Sequence, residues 1–229
     1  MAETVSFPSN GSDASGHLAV PASGQGPGVI VIQEWWGLNP QIRGVADMLA
    51  EHGIVALAPD LYHGELAGHD EMDKAGHLMS SLPADRAARD MSGAVDFLAS
   101  HPAVTGTGIG VIGFCMGGML TFILAANRGD RIKAAVPFYG FPQGEAAPDY
   151  SGMTAAIRGH MSADDSFFPA DAARALEAEL KAMGKDVSIE IHGAGHGFMN
   201  EENPMGAYDE ALAARLWPGI IDFFRATLA

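Results

Sequence analysis

A lone cysteine, a histidine among glycines and a pair of aspartates carry the chemistry open to this chain. Cys115, the sole cysteine, lies in Gly113-Phe114-Cys115-Met116-Gly117-Gly118. The β-branched run Ile109-Gly110-Val111-Ile112 precedes it, and Met119-Leu120-Thr121-Phe122-Ile123-Leu124-Ala125-Ala126 follows with helical spacing. A thiol on such a strand-to-helix turn can act as a nucleophile. The first N–H groups of the helix and its dipole favour a thiolate and a developing oxyanion. Glycines two residues to either side let a strained turn pack closely between strand and helix. A buried cysteine can equally be inert filler, so partners decide. A thiol nucleophile needs a base and a third group that orients the base. His196, in Gly193-Ala194-Gly195-His196-Gly197-Phe198, follows the apolar run Val187 to His192. Its glycine neighbours let the imidazole swing over the thiol. His192 still belongs to that run and reads as structural. For the acid, Asp164 and Asp165 end another apolar run and precede Pro169. Either can reach His196, and both can also serve as helix caps.

A second cluster is Gln33-Glu34-Trp35-Trp36-Gly37-Leu38-Asn39. Glu34 ends an apolar strand whose C-terminal end faces the crevice of an open α/β sheet. A carboxylate there opposes thiolate formation, whereas His196 favours it. The two tryptophans indicate a partly dry environment. The backbone N–H groups of Trp35 and Met116 are the candidate oxyanion donors.

The elements that must position these groups alternate between strand and helix, the pattern of a mostly parallel sheet with helices on both faces. Strands are expected at Gly28–Gln33, Ile54–Ala58, Ile109–Ile112, Lys133–Phe138, Ala155–Met161 and Val187–His192. Helices are expected at Ile42–His52, Ala84–Ser100, from Met119, Pro169–Met183 and Tyr208–Leu228, the last bent near Pro218. The connection from Asp60 to Ser81 is irregular. Strand, Gly-x-nucleophile-x-Gly and helix form the nucleophile elbow of the α/β-hydrolase fold, with acid and histidine following in that order. The expectation is therefore one α/β-hydrolase domain over residues 1–229.

Composition sets limits. With 48% hydrophobic and 18% charged residues in 229, the chain is an ordinary globular protein with ample core. A net charge of −15 argues against nucleic acid and weakly against anionic substrates. The N-terminal residues lack the basic and apolar regions of a signal peptide. No apolar run approaches the ~20 residues of a membrane span. One cysteine allows no intramolecular disulfide and suits a reducing cytoplasm. The expectation is a cytoplasmic monomer or small homo-oligomer with no nucleic-acid or membrane partner, and the twelve methionines read as core filler.

Together these motifs resemble the dienelactone hydrolase (carboxymethylenebutenolidase) family. Gln33-Glu34-Trp35-Trp36-Gly37 is similar to its Q-E-x-x-G, and Pro59-Asp60-Leu61-Tyr62 to its P-D-L-Y. Gly113 to Gly118 resembles G-[YF]-C-x-G-G, Asp165 to Pro169 resembles D-x-x-x-P, and Ala194 to Phe198 resembles A-G-H-x-F. The resemblance implies a cofactor-free hydrolase of small lactones or esters with a Cys115-His196-Asp165 triad and a thioester intermediate. It selects Asp165 over Asp164 as the acid. It also implies that Glu34 partners the resting thiol and swings away when substrate arrives. In the family two arginines hold a substrate carboxylate; here Asn200 stands near one of those positions, and Lys74 is the sole cation offered by His63 to Ser81. An asparagine cannot pair bidentately with a carboxylate. Trp36, Lys74, Phe198 and Asn200 are the candidate pocket residues.

His63, His69, Asp70, Asp73 and His77 read as a solvated loop or lid rather than a metal site, because no set of three well-placed ligands is evident. Two other functions compete. A silent small-molecule binding protein on a hydrolase scaffold would have no use for a complete triad. A redox-sensing thiol protein would lack a resolving cysteine.

Overall fold

Strands that are apolar at every position, rather than at alternate ones, must be covered on both faces. The computed structural model, which describes residues 1–9 and 11–229, arranges them that way. Its elements are β1 (Ala2–Pro8), β2 (Asp13–Ala19), β3 (Gly26–Ile32), α1 (Pro40–Glu51), β4 (Val55–Pro59), α2 (Met72–Ser81), α3 (Ala84–Ser100), β5 (Val104–Phe114), α4 (Met116–Asn127), β6 (Ile132–Phe138), β7 (Ala156–Asp164), α5 (Ala170–Ala182), β8 (Val187–Gly195) and α6 (Glu210–Leu228). A short 3₁₀ turn covers Gly144–Ala146.

The strands form one sheet in the order β1-β2-β4-β3-β5-β6-β7-β8. The six from β4 to β8 run parallel, and β1 and β2 add an antiparallel edge. Alternate residues of each central strand serve opposite cores. Ile30, Ile32 and Val111 belong to the core that Leu98 of α3, Phe122 of α4 and Leu180 of α5 help to close. Val29, Val31 and Ile112 meet α1 and α6 through Ile42, Leu49, Ile220 and Phe224. The expected architecture, an α/β-hydrolase-type sheet with helices on both faces, is present.

Local chemistry sets the helix starts. Asn39 Oδ1 accepts from Ile42 N–H at 3.0 Å ahead of Pro40, and Asp209 Oδ1 accepts from Leu212 N–H at 2.9 Å. The last helix therefore begins at Glu210, not Tyr208, and it continues through Pro218. Two features depart from the sequence reading. The irregular 60–81 connection contains α2: Met72, Ala75, Leu78 and Met79 recur at helical spacing, but only Ala75 is buried and no side chain caps the start. The edge strand β2 has no clear strand signal in the sequence. Asp13, Ser15 and Gly16 are poor strand formers, and pairing with β4 imposes the conformation from outside.

Candidate active site

Cys115, His196, Asp165 and Glu34 lie at or just after the C-terminal ends of parallel strands, on one rim of the sheet. Cys115 stands between β5 and α4 with φ 56° and ψ −116°, a conformation costly for a non-glycine residue. The surroundings enforce it. A Cβ on Gly113 would strike Gly117 O and the Thr121 hydroxyl, and one on Gly117 would strike the Ile32 and Gln33 carbonyls. The glycines thus set how closely the helix approaches β5 and β3. Below the turn, the buried Tyr62 hydroxyl reaches Met116 Sδ at 3.5 Å, and Gln33 Oε1 accepts from Leu61 N–H at 3.2 Å. The P-D-L-Y segment thereby braces the elbow from beneath.

His196 follows β8. Its Nδ1 lies 2.8 Å from Asp165 Oδ2, and Asp165 Oδ1 accepts from the N–H groups of Phe167 at 2.9 Å and Phe168 at 3.0 Å. A carboxylate with three donors can only accept, so Nδ1 carries the proton and Nε2 is the free nitrogen. The Asp165 side chain is fully buried, and the rings of Tyr139, Phe167 and Phe168 surround the imidazole. Asp164 is exposed at the end of β7 and pairs in register with Gly195, so Asp165 is the aspartate in contact with the histidine.

Glu34 is 3% exposed. Its carboxylate accepts from the Tyr139 hydroxyl at 3.1 Å and from Asn200 Nδ2 at 2.7 Å. Burial raises its pKa, while Asn200, His196 and Tyr139 oppose that rise. The Cys115 thiol is pushed well above its ordinary value, by burial first, then by the Glu34 charge, with Asp165 adding to both. The Met116 N–H at the start of α4 pulls the other way and loses. Burial and the Glu34 charge together therefore disfavour the thiolate, although a helix N-terminus alone would favour it. Among the described residues, no hydrogen bond joins Sγ to Glu34 or to His196. Trp35 N–H is likewise unpaired within the described chain and lies on the same rim.

Cys115, His196, Glu34, Asn200 and both tryptophans share one cavity of about 460 Å³. Two candidates are placed elsewhere. Lys74 is exposed on α2, 3.9 Å from Glu71, because the helix turns it to solvent and sends Met79 and Ser80 to the cavity instead. Phe198 is fully buried beneath the floor, against Tyr139 at 5.2 Å and Phe138 at 6.0 Å between ring centroids. Asn200 lines the cavity with its amide committed: Nδ2 goes to Glu34, and Oδ1 accepts from Glu202 N–H at 3.1 Å.

Sequence reasoning missed Tyr139, Phe167 and Met79. Tyr139 had a signal: it directly follows the apolar β6, as Glu34 follows β3. The histidine-rich loop disperses, with His63 bonded to Asp90 at 2.8 Å and His69 to Glu202 at 3.3 Å. The one group of three potential metal ligands among the described residues is His160, Glu190 and His192. There the two imidazoles bond each other, Nδ1 to Nε2, at 3.0 Å. Burial lowers the pKa of His192 and takes that of His160 to about 4. No helix is long and apolar enough to cross a membrane among the described residues.

The model of the dienelactone hydrolase family matches residues 14–228. Protein usf of Aquifex pyrophilus is 35% identical over 235 residues, with 100% of each chain covered. A carboxymethylenebutenolidase of a Pseudomonas species is 31% identical over 212 residues, 89% of this chain and 87% of its own. A dienelactone hydrolase-like promiscuous phosphotriesterase from metagenomic libraries superposes with a TM-score of 0.84 at 24% identity, over 100% of this chain and 99% of that one, a likeness of fold. Matched over nearly its whole length, the chain belongs to the dienelactone hydrolase family.

Proposed function

We propose that this protein hydrolyses small lactones or esters through a thioester on Cys115. In the acylation step His196 Nε2 takes the thiol proton as Sγ bonds the carbonyl carbon. The tetrahedral oxyanion forms in reach of the Trp35 and Met116 N–H groups. The C–O bond then breaks, and the proton passes from His196 to the departing oxygen. In a lactone that oxygen stays tethered to the acyl group. Water, deprotonated by His196, cleaves the thioester and restores the thiol. Asp165 keeps Nε2 unprotonated at rest and stabilises the imidazolium that forms. Burial, with the Glu34 charge adding to it, holds the substrate-free thiol neutral. The chemistry needs a reduced thiol, which suits a cytoplasmic setting.

One observation carries this reading. A cysteine in a conformation only a built turn would enforce shares a cavity with an imidazole already fixed by a buried carboxylate. The test is Cys115→Ala assayed with 4-nitrophenyl acetate. The variant should fold normally and lose activity by about 10⁴-fold or more, as nucleophile removal does in comparable triads. Full activity in that variant would refute the proposal.

A further inference from the structure

We propose that the cavity selects uncharged, apolar esters or lactones and rejects substrates that carry a carboxylate. The inference rests on the hydrolase reading for its chemistry, but its evidence is the cavity wall. Trp35, Trp36, Met116, Met119, Phe167 and Phe168 line it, its exposed wall is mostly apolar, and no lysine or arginine lines it among the described residues. The polar side chains that could stand in for a cation already make hydrogen bonds within the protein. Asn200 gives its amide to Glu34 and accepts from Glu202. Gln143 donates Nε2 to Phe167 O at 3.0 Å. His69, behind Trp36, has Nδ1 on Glu202 and Nε2 on Asn39 at 3.5 Å. Nor can Lys74 help, since α2 turns it to solvent.

Against an incoming anion stand the Glu34 charge inside the cavity and a net charge of −15 outside it. A carboxylate entering here loses its water and meets no lysine or arginine in the lining, a cost an apolar group of equal size escapes. The same wall rewards apolar acyl groups, because aromatic rings and methionines adapt to varied shapes and bury large areas.

A matched pair of substrates tests this directly. Hydrolysis of 4-nitrophenyl hexanoate is compared with that of 4-nitrophenyl adipate monoanion, which ends an acyl chain of equal carbon count in a carboxylate. The kcat/KM for the hexanoate should exceed that for the adipate by roughly 100-fold or more. In Met79→Lys, a cation placed on the rim should shrink the ratio at least severalfold, chiefly by raising the adipate rate. An adipate hydrolysed as well as the hexanoate overturns the inference and leaves the hydrolase reading standing.

A binding arm separates the two failures. Tryptophan fluorescence of Cys115→Ala is titrated with acetophenone and with 4-acetylbenzoate. Tenfold or tighter binding of the neutral ketone supports the inference even if neither ester were hydrolysed, a result that would refute the hydrolase reading alone. Equal binding, or tighter binding of the anion, overturns it.

Discussion

The floor and the rim of the cavity are built on different principles. On the floor, each reactive group is held by close packing or short hydrogen bonds. Cys115 is fixed by glycines that admit no Cβ, Asp165 by two N–H groups and the imidazole, and Glu34 by two donors from separate segments. On the rim, Met79, Met205 and Phe167 are 41%, 37% and 53% exposed, large apolar side chains half in solvent. The floor orients its groups through short hydrogen bonds and close backbone packing, as proton transfer demands. The rim only offers apolar area, which many shapes can use. The chemistry is thus specified tightly and the substrate loosely, and variants in the two regions should differ in kind.

The largest effects belong to the floor. His196→Ala should lower kcat by at least about 10³-fold, and His196→Ala with Asp165→Ala should cost little more than His196→Ala alone, since the two act as a unit. Asp164→Ala should be far milder. Additive losses, or an Asp164 variant worse than Asp165→Ala, would break the assignment of the acid.

A smaller effect on rate, but a diagnostic one, concerns Glu34. Glu34→Gln removes the charge that opposes the thiolate while keeping the side-chain size. The alkylation pKa of Cys115 should fall, and iodoacetamide should react severalfold faster near neutral pH in the absence of substrate. Burial, the larger cause, remains, so the thiol should stay above its ordinary value. An unchanged or higher alkylation pKa would make Glu34 a lining residue and no more.

The smallest effects belong to the rim. Met205→Ala should change kcat for a small acetate ester by less than about threefold and stability by about 0.5 kcal/mol or less, as truncation of an exposed side chain does. A loss comparable to that in His196→Ala would erase the distinction between floor and rim.

The same division decided what the sequence could reveal. Val29 to Ile32 and Ile109 to Ile112 are legible as strands because burial on both faces demands apolar residues throughout. The elbow is legible because steric necessity leaves no alternative to Gly113 and Gly117. Chain order and strand ends then located His196, although the residues alone left Asp164 and Asp165 open. The rim was not legible. α2 has one buried residue and no side-chain cap at its start, so the helix that turns Met79 to the cavity and Lys74 to solvent was not read from the sequence. Asn200 could be placed near the site, but its bond to Glu34 joins residues 166 positions apart, beyond what spacing can show. The β1–β2 edge escaped notice because its strand conformation comes from its partners.

The central claim is that Cys115 forms the covalent intermediate. It is tested most directly by stopping a reaction with a slowly hydrolysed ester in acid and mapping the protein by mass spectrometry. The account predicts one added acyl group, on the peptide containing Cys115, labile to hydroxylamine and absent from Cys115→Ala. An acyl group on any other residue, or steady turnover with no adduct on Cys115 under conditions where deacylation limits the rate, would contradict it.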